Sequence, residues 1–375
     1  MKVHQSLLPR AVWIAYLIHT VVILAAFLLA DYMPPHEPNG FVNPSVINVD
    51  PGVAKWIKWD AHWYTYIAEH GYDSQNIVFF PVTVILIKAM AMLGFGYAFG
   101  GIVICNLFAF VSFCGLYSTF QLDFSEKETE RALLAYALLP TSFFINSIYT
   151  EPIFIVFSVA CVYFTRVGKW WYAGAFAALA TLTRNIGSIL FLFMVYEFWL
   201  YYKKEQKLTY SGIALVSAPA ALLVFMVYNF WLLGDSLAFV HTQHQWGRTF
   251  AWPWISLWNN GLLLVSSMPT IPIGVILDFF MVVGTFSGLL FLTFSSKFKV
   301  RLSYLIVGWL WFVIPLFSTS LWFPLYSMSR FVLVIFPLYL FLAQLPKGYY
   351  YLYLLVSTLL LLLCTASFMN WYWIG

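Results

Sequence analysis

The segment KWDAHWYTYIAEHGYD (residues 58–73) lies in the longest polar stretch between two apolar runs of the chain. Wound as an α-helix at 100° per residue, residues 55–69 place their polar side chains on one face: Lys55, Lys58, His62, Thr65 and Glu69. Asp60 projects from the opposite, aromatic face. A carboxylate on the apolar side of an interfacial helix is costly unless another group neutralises it, so Asp60 needs a partner.

The composition is that of an integral membrane protein. Of the 375 residues, 62% are hydrophobic and only 9% are charged, whereas soluble domains carry roughly 25% charged residues. The net charge is +4, but the basic residues cluster in short loops, which indicates membrane topology and not nucleic-acid binding. The 17 tryptophans favour interfacial belts, or surfaces that stack on a ring-shaped substrate.

The apolar segments predict an all-α, polytopic transmembrane protein of about 10–12 spans with a helical first external loop. Residues 11–30 follow Lys2 and Arg10 and are long enough to form an uncleaved first span. We treat residues 1–375 as a single transmembrane domain, because no other part is long enough to fold alone. Further spans are expected near residues 100–120, 131–147, 150–166, 170–184, 186–202, 209–233, 270–294, 302–320, 331–346 and 349–369.

The basic connections set the predicted topology. By the positive-inside rule, three of them are cytoplasmic: Arg166 with Lys169; Lys203, Lys204 and Lys207; Lys297, Lys299 and Arg301. The external side then receives a first loop over residues 31–80 and a second loop over residues 234–260. The connections between successive spans should alternate between the two sides of the membrane, and this alternation fails once. Either residues 81–97 do not fully cross or residues 123–131 are external, and the sequence does not decide between these two.

Other motifs carry little chemistry. The spacing of Gly94, Gly96 and Gly100 is one residue off a dinucleotide-binding fingerprint, and no strand precedes it, so we interpret it as a flexible turn. His241 and His244 could bind a metal, but no third ligand is near in sequence. We therefore expect no metal and no cofactor. The four cysteines are interpreted as small buried hydrophobic residues: Cys105, Cys114, Cys161 and Cys364.

Three arginines lie on or beside the predicted external face: Arg184, Arg248 and Arg330. Guanidinium groups at a membrane boundary match phosphate geometry, which favours a phospholipid-linked substrate. The alternative is that each arginine snorkels to lipid headgroups and binds no substrate.

The remaining carboxylates allow structural interpretations. Glu151 precedes Pro152, which suits the first turn of a helix, although a functional role stays open. Asp235 is placed to begin a helix. Asp278 and Glu197 lie within apolar segments, so each must be paired or face inward, although the sequence does not identify their partners.

The segment WDAHWYTYIAEHGYD, followed by FFP (79–81), resembles the first external loop of the PIG-V-type mannosyltransferases, the family of GPI mannosyltransferase II. Together with four further segments in the same order, the resemblance covers most of residues 56–343. These segments are LLPTSFFINSIYTEPIF (138–154), ALATLTRNIG (178–187), GDSLAFVHTQHQWGRTFAWP (234–253) and SMSRFVLVIFPLYLFLA (327–343).

The resemblance implies a GT-C-like glycosyltransferase that takes a hexose, most simply mannose, from a polyprenyl-phosphate carrier on the non-cytoplasmic side of a membrane. It assigns the catalytic base to Asp60 and leaves the acceptor unknown. The chain is shorter than a eukaryotic member would be, which favours a prokaryotic relative in the plasma membrane. Substrate contacts are expected from Trp59, Trp63, Tyr64, His70, Tyr149, Glu151, Arg184, Gln243, Trp246, Arg248 and Arg330.

Alternatives to this interpretation remain at the level of sequence. Asp60 could instead cap a helix that begins at Ala61. The protein could be a flippase or other transporter of lipid-linked sugars, in which the arginines hold a headgroup in transit. It could also be a non-catalytic assembly subunit, in which Asp60 would have no chemical role.

Overall fold

The fold is described from a computed structural model for residues 9–38, 40–206, 209–266, 271–296, 298, 300–320 and 323–375. It consists of helices joined by short loops, which confirms the prediction of an all-α, multi-pass membrane protein. Its two short strands pair antiparallel, Thr249 with Thr319 and Phe250 with Ser318. Four lysines used in the topology prediction lie outside the described residues: Lys2, Lys207, Lys297 and Lys299.

The helices follow one another along the chain and are numbered in that order. The first six are α1 (Arg10–Leu29), α2 (Pro51–Ala54), α3 (Asp60–His70), α4 (Pro81–Met90), α5 (Tyr97–Phe120) and α6 (Glu126–Ala137). The next six are α7 (Glu151–Arg166), α8 (Trp170–Thr183), α9 (Leu190–Glu205), α10 (Ser217–Leu233), α11 (Ala238–His241) and α12 (Pro253–Ser266). The last five are α13 (Ile273–Phe294), α14 (Leu302–Leu316), α15 (Met328–Val332), α16 (Phe336–Gln344) and α17 (Lys347–Met369). The strands are β1 (Thr249–Phe250) and β2 (Ser318–Thr319).

Six helical segments among the described residues are long and apolar enough to cross a membrane. They contain α1, α5, α9, α10, α13 and α17. Other expected spans are shorter or broken. The span expected over 131–147 is the 12-residue α6 followed by a 3-10 turn at Ser142–Ile145, and the span expected over 331–346 is divided between α15 and α16. Pro140 and Pro337 lie at these breaks, because proline cannot continue a helix through its own missing N–H.

The shorter helices still run between the two ends of the protein. The 16-residue α7 begins at Glu151 in the candidate site and ends at Arg166 in an ion-pair network at the opposite end. The 14-residue α8 packs against α7 and returns to Arg184. Ten to twelve spans were expected; six helices are long enough to cross, and α7 and α8 connect the same two ends at shorter length.

Residues 81–95 form a short helical segment that turns back. Its helix α4 packs directly against α5, which follows it in the chain. Gly94 has φ +92°, a backbone conformation that favours glycine, and the chain reverses there into α5. This supports the alternative in which residues 81–97 do not fully cross.

An ion-pair network ties together the end of the protein that carries the basic connections. Arg166 pairs with Asp123, whose Oδ2 also accepts from the Tyr304 hydroxyl at 2.8 Å. Asp123 begins the 123–131 segment, so this segment lies beside the basic connections and not at the candidate site. The reversal at Gly94 and the Asp123–Arg166 ion pair both indicate that residues 81–97 do not fully cross and that residues 123–131 lie on the side of the basic connections.

Glu197 extends the network from α9 to α14. Its two carboxylate oxygens accept from Arg301 Nε at 3.1 Å and Nη2 at 3.0 Å, and Oε1 also accepts from the Ser303 hydroxyl at 2.5 Å. This supplies the partner that the sequence required for a carboxylate in an apolar segment. The side chain is only 8% exposed, so its loss of hydration is balanced by these bonds.

The helix of the first external loop is shorter than expected, and its polar face is largely covered by protein. Three of the five residues on that face, Lys58, His62 and Thr65, are buried. The Asn43 side-chain amide donates to Thr65 Oγ1 at 3.1 Å, and the Asn43 backbone N–H donates to His62 Nδ1 at 3.2 Å. Asn43 therefore covers part of this face and hydrogen-bonds two of its polar side chains from inside the protein.

Helix α12 has an inverted pattern of burial. Ser256 and Asn260 are buried, and they hydrogen-bond to the carbonyls of Leu316 and Val275 respectively. Large apolar side chains are exposed on the other face of the helix: Trp254, Ile255, Trp258, Leu262 and Val265. A helix that directs its polar residues inward and its tryptophans outward is suited to contact with lipid.

We expect Trp252 to be external and Lys204 to be cytoplasmic, because the basic connections mark the inner side. Both side chains are exposed, so a cysteine at either position can be labelled. In intact cells a membrane-impermeant maleimide should label Trp252→Cys and not Lys204→Cys, and both should react after lysis. The protein without an added cysteine is the control for background labelling of its own thiols. Labelling of Lys204→Cys alone in intact cells would invert the topology.

Replacing Glu197 by alanine is expected to destabilise the fold by about 1.5–3 kcal/mol, because Arg301 and Ser303 would lose their hydrogen bonds to a buried charged group. Thermal unfolding of the purified protein measures this as a lower Tm. The matched control is Glu205→Ala, whose exposed pair with Lys204 spans 3.6 Å and contributes about 0–1 kcal/mol. Equal Tm values for the two variants would contradict the role given to Glu197.

Candidate active site

Asp60 is held at the first residue of α3 by an unusual backbone turn. The preceding Trp59 has φ +53°, a conformation that costs a bulky side chain of order 1–3 kcal/mol. The alternative in which Asp60 caps a helix beginning at Ala61 is wrong, because α3 begins at Asp60 and Trp59 occupies the N-cap position. The Asp60 carboxylate instead accepts from Arg330 Nη1 at Oδ2, over 2.6 Å.

Four charged side chains form a continuous chain of ion pairs. Arg330 Nε lies 3.2 Å from Glu151 Oε1, and the same carboxylate oxygen accepts from Arg184 Nη1. Glu151 is fully buried, and the two arginine side chains are about one tenth exposed. Neither guanidinium snorkels to the surface; both point inward to carboxylates. Removing one member would leave an uncompensated buried charge, so the chain fixes four distant segments relative to one another.

A second buried carboxylate positions Arg330. Ser327 has φ +67° and begins the turn into α15, and the backbone N–H of Ser329 donates to Asp278 Oδ1 at 2.7 Å. Asp278 is 2% exposed, and the sequence could not identify this partner. The turn that presents Arg330 is therefore anchored to α13 by a hydrogen bond to the buried Asp278 side chain.

The position of Arg184 depends on a close backbone approach. A Cβ at Gly187 would lie 2.4 Å from the backbone of Ala180, so no larger residue fits there. The Trp311 indole donates to the Ile186 carbonyl at 3.0 Å and holds the same turn from α14. The RNIG sequence thus ends α8 and directs Arg184 towards Glu151.

The first cavity at the site, here the basic cavity, has a volume of about 140 Å³. Arg184 and Arg330 reach it from the ion-pair chain, and Arg248 reaches it from the second external loop. Arg248 packs 4.2 Å from the centre of the Tyr326 ring and forms no ion pair with any described residue. The cavity lining is Asp60, Tyr64, Val78, Phe79, Phe80, Thr150, Thr183, Arg184, Asn185, Gln243, Trp246, Arg248, Tyr326, Ser327, Arg330, Phe331 and Trp373.

The second cavity, here the aromatic cavity, is larger at about 770 Å³, within the range of small-molecule sites. Four residues line both cavities: Asp60, Trp246, Tyr326 and Trp373. Asp60 therefore lies where the two cavities meet. Among the described residues no donor is bonded to its Oδ1, so one oxygen is available beside a ligand.

Most of the sequence-predicted site residues come together here. Trp59 and Trp63 line the aromatic cavity, and Tyr64, Gln243 and Arg248 line the basic cavity. Tyr149 and Glu151 lie behind the cavity walls, where the Tyr149 hydroxyl donates to the Lys58 carbonyl at 3.3 Å. His70 lines neither cavity. Its ring stacks on Tyr66 at 4.5 Å.

The histidines of the second external loop take no part in the two cavities. His241 bonds to Asp235 at 2.7 Å, and this hydrogen bond, followed by the Leu237 backbone N–H, lowers the pKa of the Asp235 carboxyl. Within the described ranges, no three His, Cys, Asp or Glu side chains are grouped as metal ligands.

Burial keeps His62 and Tyr64, two other residues of α3, uncharged. It lowers the pKa of His62 to about 4, and the nearby Lys58 adds to the effect. The neutral imidazole stacks flat on Trp371, with ring centres 5.3 Å apart and planes 8° apart. Burial also raises the pKa of Tyr64, and the Asp60 and Glu151 charges add to that shift. Asp60 is thus the acidic group that both cavities share.

Sequence reasoning missed the residues that follow the last span. Trp371 and Trp373 form one wall of the aromatic cavity, and Trp373 also reaches the basic cavity. Trp371 has φ +67°, so three of the four described non-glycine residues with positive φ (Trp59, Ser327 and Trp371) lie at this site. Strained backbone tends to cluster at functional sites. The only sequence feature that could have indicated this wall is the cluster of aromatic residues in NWYWIG (370–375).

No protein-family profile and no curated protein matches the chain. Two solved structures of the oligosaccharyltransferase from Archaeoglobus fulgidus are similar to it. The apo form is 12% identical, with a TM-score of 0.46 over 95% of this chain and 56% of that one. The form tethered by a disulfide to an acceptor peptide containing the NVT sequon is 13% identical, with a TM-score of 0.43 over 95% and 55%. The chain thus spans about half the length of the archaeal enzyme, and its function is inferred below from its own side chains.

Proposed function

We propose that the protein is a membrane-embedded, inverting glycosyltransferase that transfers a hexose, most simply mannose, from a polyprenyl-phosphate carrier to an acceptor. The observation that carries this proposal is the position of Asp60, a carboxylate at the junction of an arginine-lined cavity and a ligand-sized aromatic cavity. A general base is needed between a leaving phosphate and an incoming hydroxyl, and this position satisfies that requirement.

The basic cavity suits the phosphate of the donor. Its three guanidinium groups face two carboxylates, Asp60 and Glu151, so one positive charge is uncompensated. Arg248 has no carboxylate partner among the described side chains, and its planar guanidinium can bind phosphate in two-pronged fashion. The polyprenyl tail would lie between the helices, where apolar surface is continuous with the membrane.

The reaction is a single displacement. The acceptor oxygen attacks the anomeric carbon as Asp60 takes the hydroxyl proton on its free Oδ1. The bond from the anomeric carbon to the phosphate oxygen breaks, and its electron pair remains on polyprenyl phosphate. Attack occurs from the face opposite the leaving group, so the anomeric configuration inverts and no covalent sugar intermediate forms.

Sugar transfer can be tested directly. Purified protein in lipid nanodiscs is incubated with polyprenyl-phosphate hexoses labelled in the sugar, and with a mixed extract of membrane glycolipids and glycoproteins. Appearance of label in a new product supports the proposal. Movement of the labelled lipid between leaflets of liposomes, without any transfer, would replace it with a flippase.

Asp60→Asn is expected to lower sugar transfer by roughly 10²–10⁴-fold, because the amide still accepts from Arg330 but cannot take a proton. Initial rates with a labelled donor measure the effect, and thermal unfolding checks the fold. The control is Asp50→Asn, since Asp50 caps α2 by accepting from the Gly52 N–H and asparagine caps equally well. An Asp60→Asn enzyme with near-normal rates and normal Tm would exclude Asp60 as the base.

Arg248→Gln should weaken donor binding by about tenfold or more, because a hydrogen bond to a charged group is worth about 1.5–3 kcal/mol. Its fold should be little affected, since no buried carboxylate depends on Arg248. Donor affinity is measured by the concentration dependence of transfer, with Arg10→Gln, an exposed arginine at the start of α1, as the control. Unchanged affinity in Arg248→Gln would remove Arg248 from the phosphate site.

A further inference from the structure

The aromatic cavity has a lining that differs in kind from that of the basic cavity. Nine of its sixteen lining residues are aromatic, and Asp60 is its one acidic or basic residue apart from His36. The aromatic residues are Phe41, Trp59, Trp63, Trp246, Phe323, Tyr326, Trp371, Tyr372 and Trp373. A ligand for this cavity must therefore be uncharged where it contacts the walls, and it must present flat apolar faces.

We propose that the aromatic cavity binds the acceptor, and that the acceptor is a neutral carbohydrate. The proposal rests on the function proposed above for Asp60. Pyranose rings have apolar C–H faces that pack on indole and phenyl rings, and hydroxyl edges that need a few hydrogen-bonding groups. Ser367, Tyr326 and Tyr372 supply such groups in the same lining.

The walls are rigid enough to select a ring-shaped ligand. Trp59 packs edge to face against Trp373, with ring centres 5.0 Å apart and planes 89° apart. Phe41 stacks on Trp63 at 4.0 Å. These mutual contacts fix the orientation of each ring before a ligand binds, which reduces the entropy that binding must remove.

The location of the cavity argues against a polyprenyl chain as its occupant. Its lining comes mainly from the first external loop and from residues 371–373, after the last span. Among the six long helices only Ile273, the first residue of α13, and Ser367, near the end of α17, contribute. A polyprenyl chain is long and flexible and would need a groove along the spans.

The position of Asp60 identifies the ligand as the acceptor and not the donor sugar. Donor phosphate in the basic cavity would place the leaving group on the arginine side of Asp60. The attacking hydroxyl must approach from the opposite side, which is the side that opens into the aromatic cavity. A volume of about 770 Å³ accommodates more than one sugar ring.

A peptide acceptor fits the lining less well. An extended peptide needs donors and acceptors for its backbone at regular intervals, and unsatisfied amides in an apolar cavity cost about 1–3 kcal/mol each. The two short strands, β1 and β2, are already paired with each other. The aromatic cavity offers flat faces in place of a row of backbone partners.

Saturation-transfer NMR on the purified, detergent-solubilised protein tests the proposal without requiring catalysis. The probes are methyl α-mannoside, maltose, cellobiose, α-1,6-mannobiose, a neutral hexapeptide and geranyl phosphate. At least one saccharide should bind to wild type. Trp371→Ala and Phe41→Ala should weaken its binding about tenfold, the size expected for losing one aromatic stacking surface.

Trp171→Ala removes an exposed tryptophan on α8, far from both cavities, and should leave saccharide binding unchanged. Trp371→Phe guards against misfolding, since it keeps a ring against His62 and should give an intermediate loss at a normal Tm. Failure of every saccharide to bind, or equal binding by wild type and Trp371→Phe together with Phe41→Ala, would overturn the proposal. The proposal would also be overturned if changing Trp371 reduced the binding of the peptide or of geranyl phosphate and left sugar binding unchanged.

The outcome is separable from that of the proposed function. Arg248→Gln should bind the saccharide as wild type does, because Arg248 lines only the basic cavity. Saccharide binding with no transfer from any polyprenyl-phosphate hexose would support the sugar site and contradict the transferase. Sugar transfer that is insensitive to Trp371→Phe and to Phe41→Ala would support the transferase and contradict the acceptor site.

Discussion

The pairing of Arg330 with Asp60 and Glu151 is the interaction on which the rest of the site depends. It joins α3, α7 and α15, and Arg184 adds the end of α8 through the same Glu151 oxygen. Within a low-dielectric interior each charge is tolerated only because the next one compensates it. The chain of charges therefore specifies how four distant segments meet, and the two cavities form at that meeting point.

The fold class and the need of Asp60 for a partner could be predicted from the sequence, because each depends on residues that are close together in the chain. The apolar runs predicted an all-α membrane protein, and this was confirmed because length and hydropathy alone determine which segments can span a bilayer. Asp60, a carboxylate among tryptophans, required a partner, and Arg330 was one of three arginines predicted at the external face. Their direct pairing was not predictable, since 270 positions separate them in the chain.

The failures have a common physical cause. An amphipathic pattern such as that of residues 55–69 normally indicates that water lies on the polar side. In the structure, Asn43 and its neighbours occupy that side and bury His62 and Thr65. Likewise the sequence did not separate Trp371 and Trp373 from the other tryptophans, whereas the chain folds back and places them in the same cavity lining as Asp60. Periodicity identifies which face differs from the other, but only tertiary contacts determine what covers each face.

The charges of the site are consistent with the proposed reaction, in which the base and the phosphate leaving group lie close together. Three arginines and two ionised carboxylates sum to one positive charge, which a hexosyl phosphodiester with its single negative charge would neutralise. In the proposed transfer, the phosphate would gain a second negative charge while Asp60 would gain a proton, so the total charge would stay at zero. An enclosure that excludes water strongly disfavours any change in net charge. With Asp60 beside the arginine-lined cavity, the proposed proton transfer and phosphate departure would compensate each other within the same low-dielectric volume.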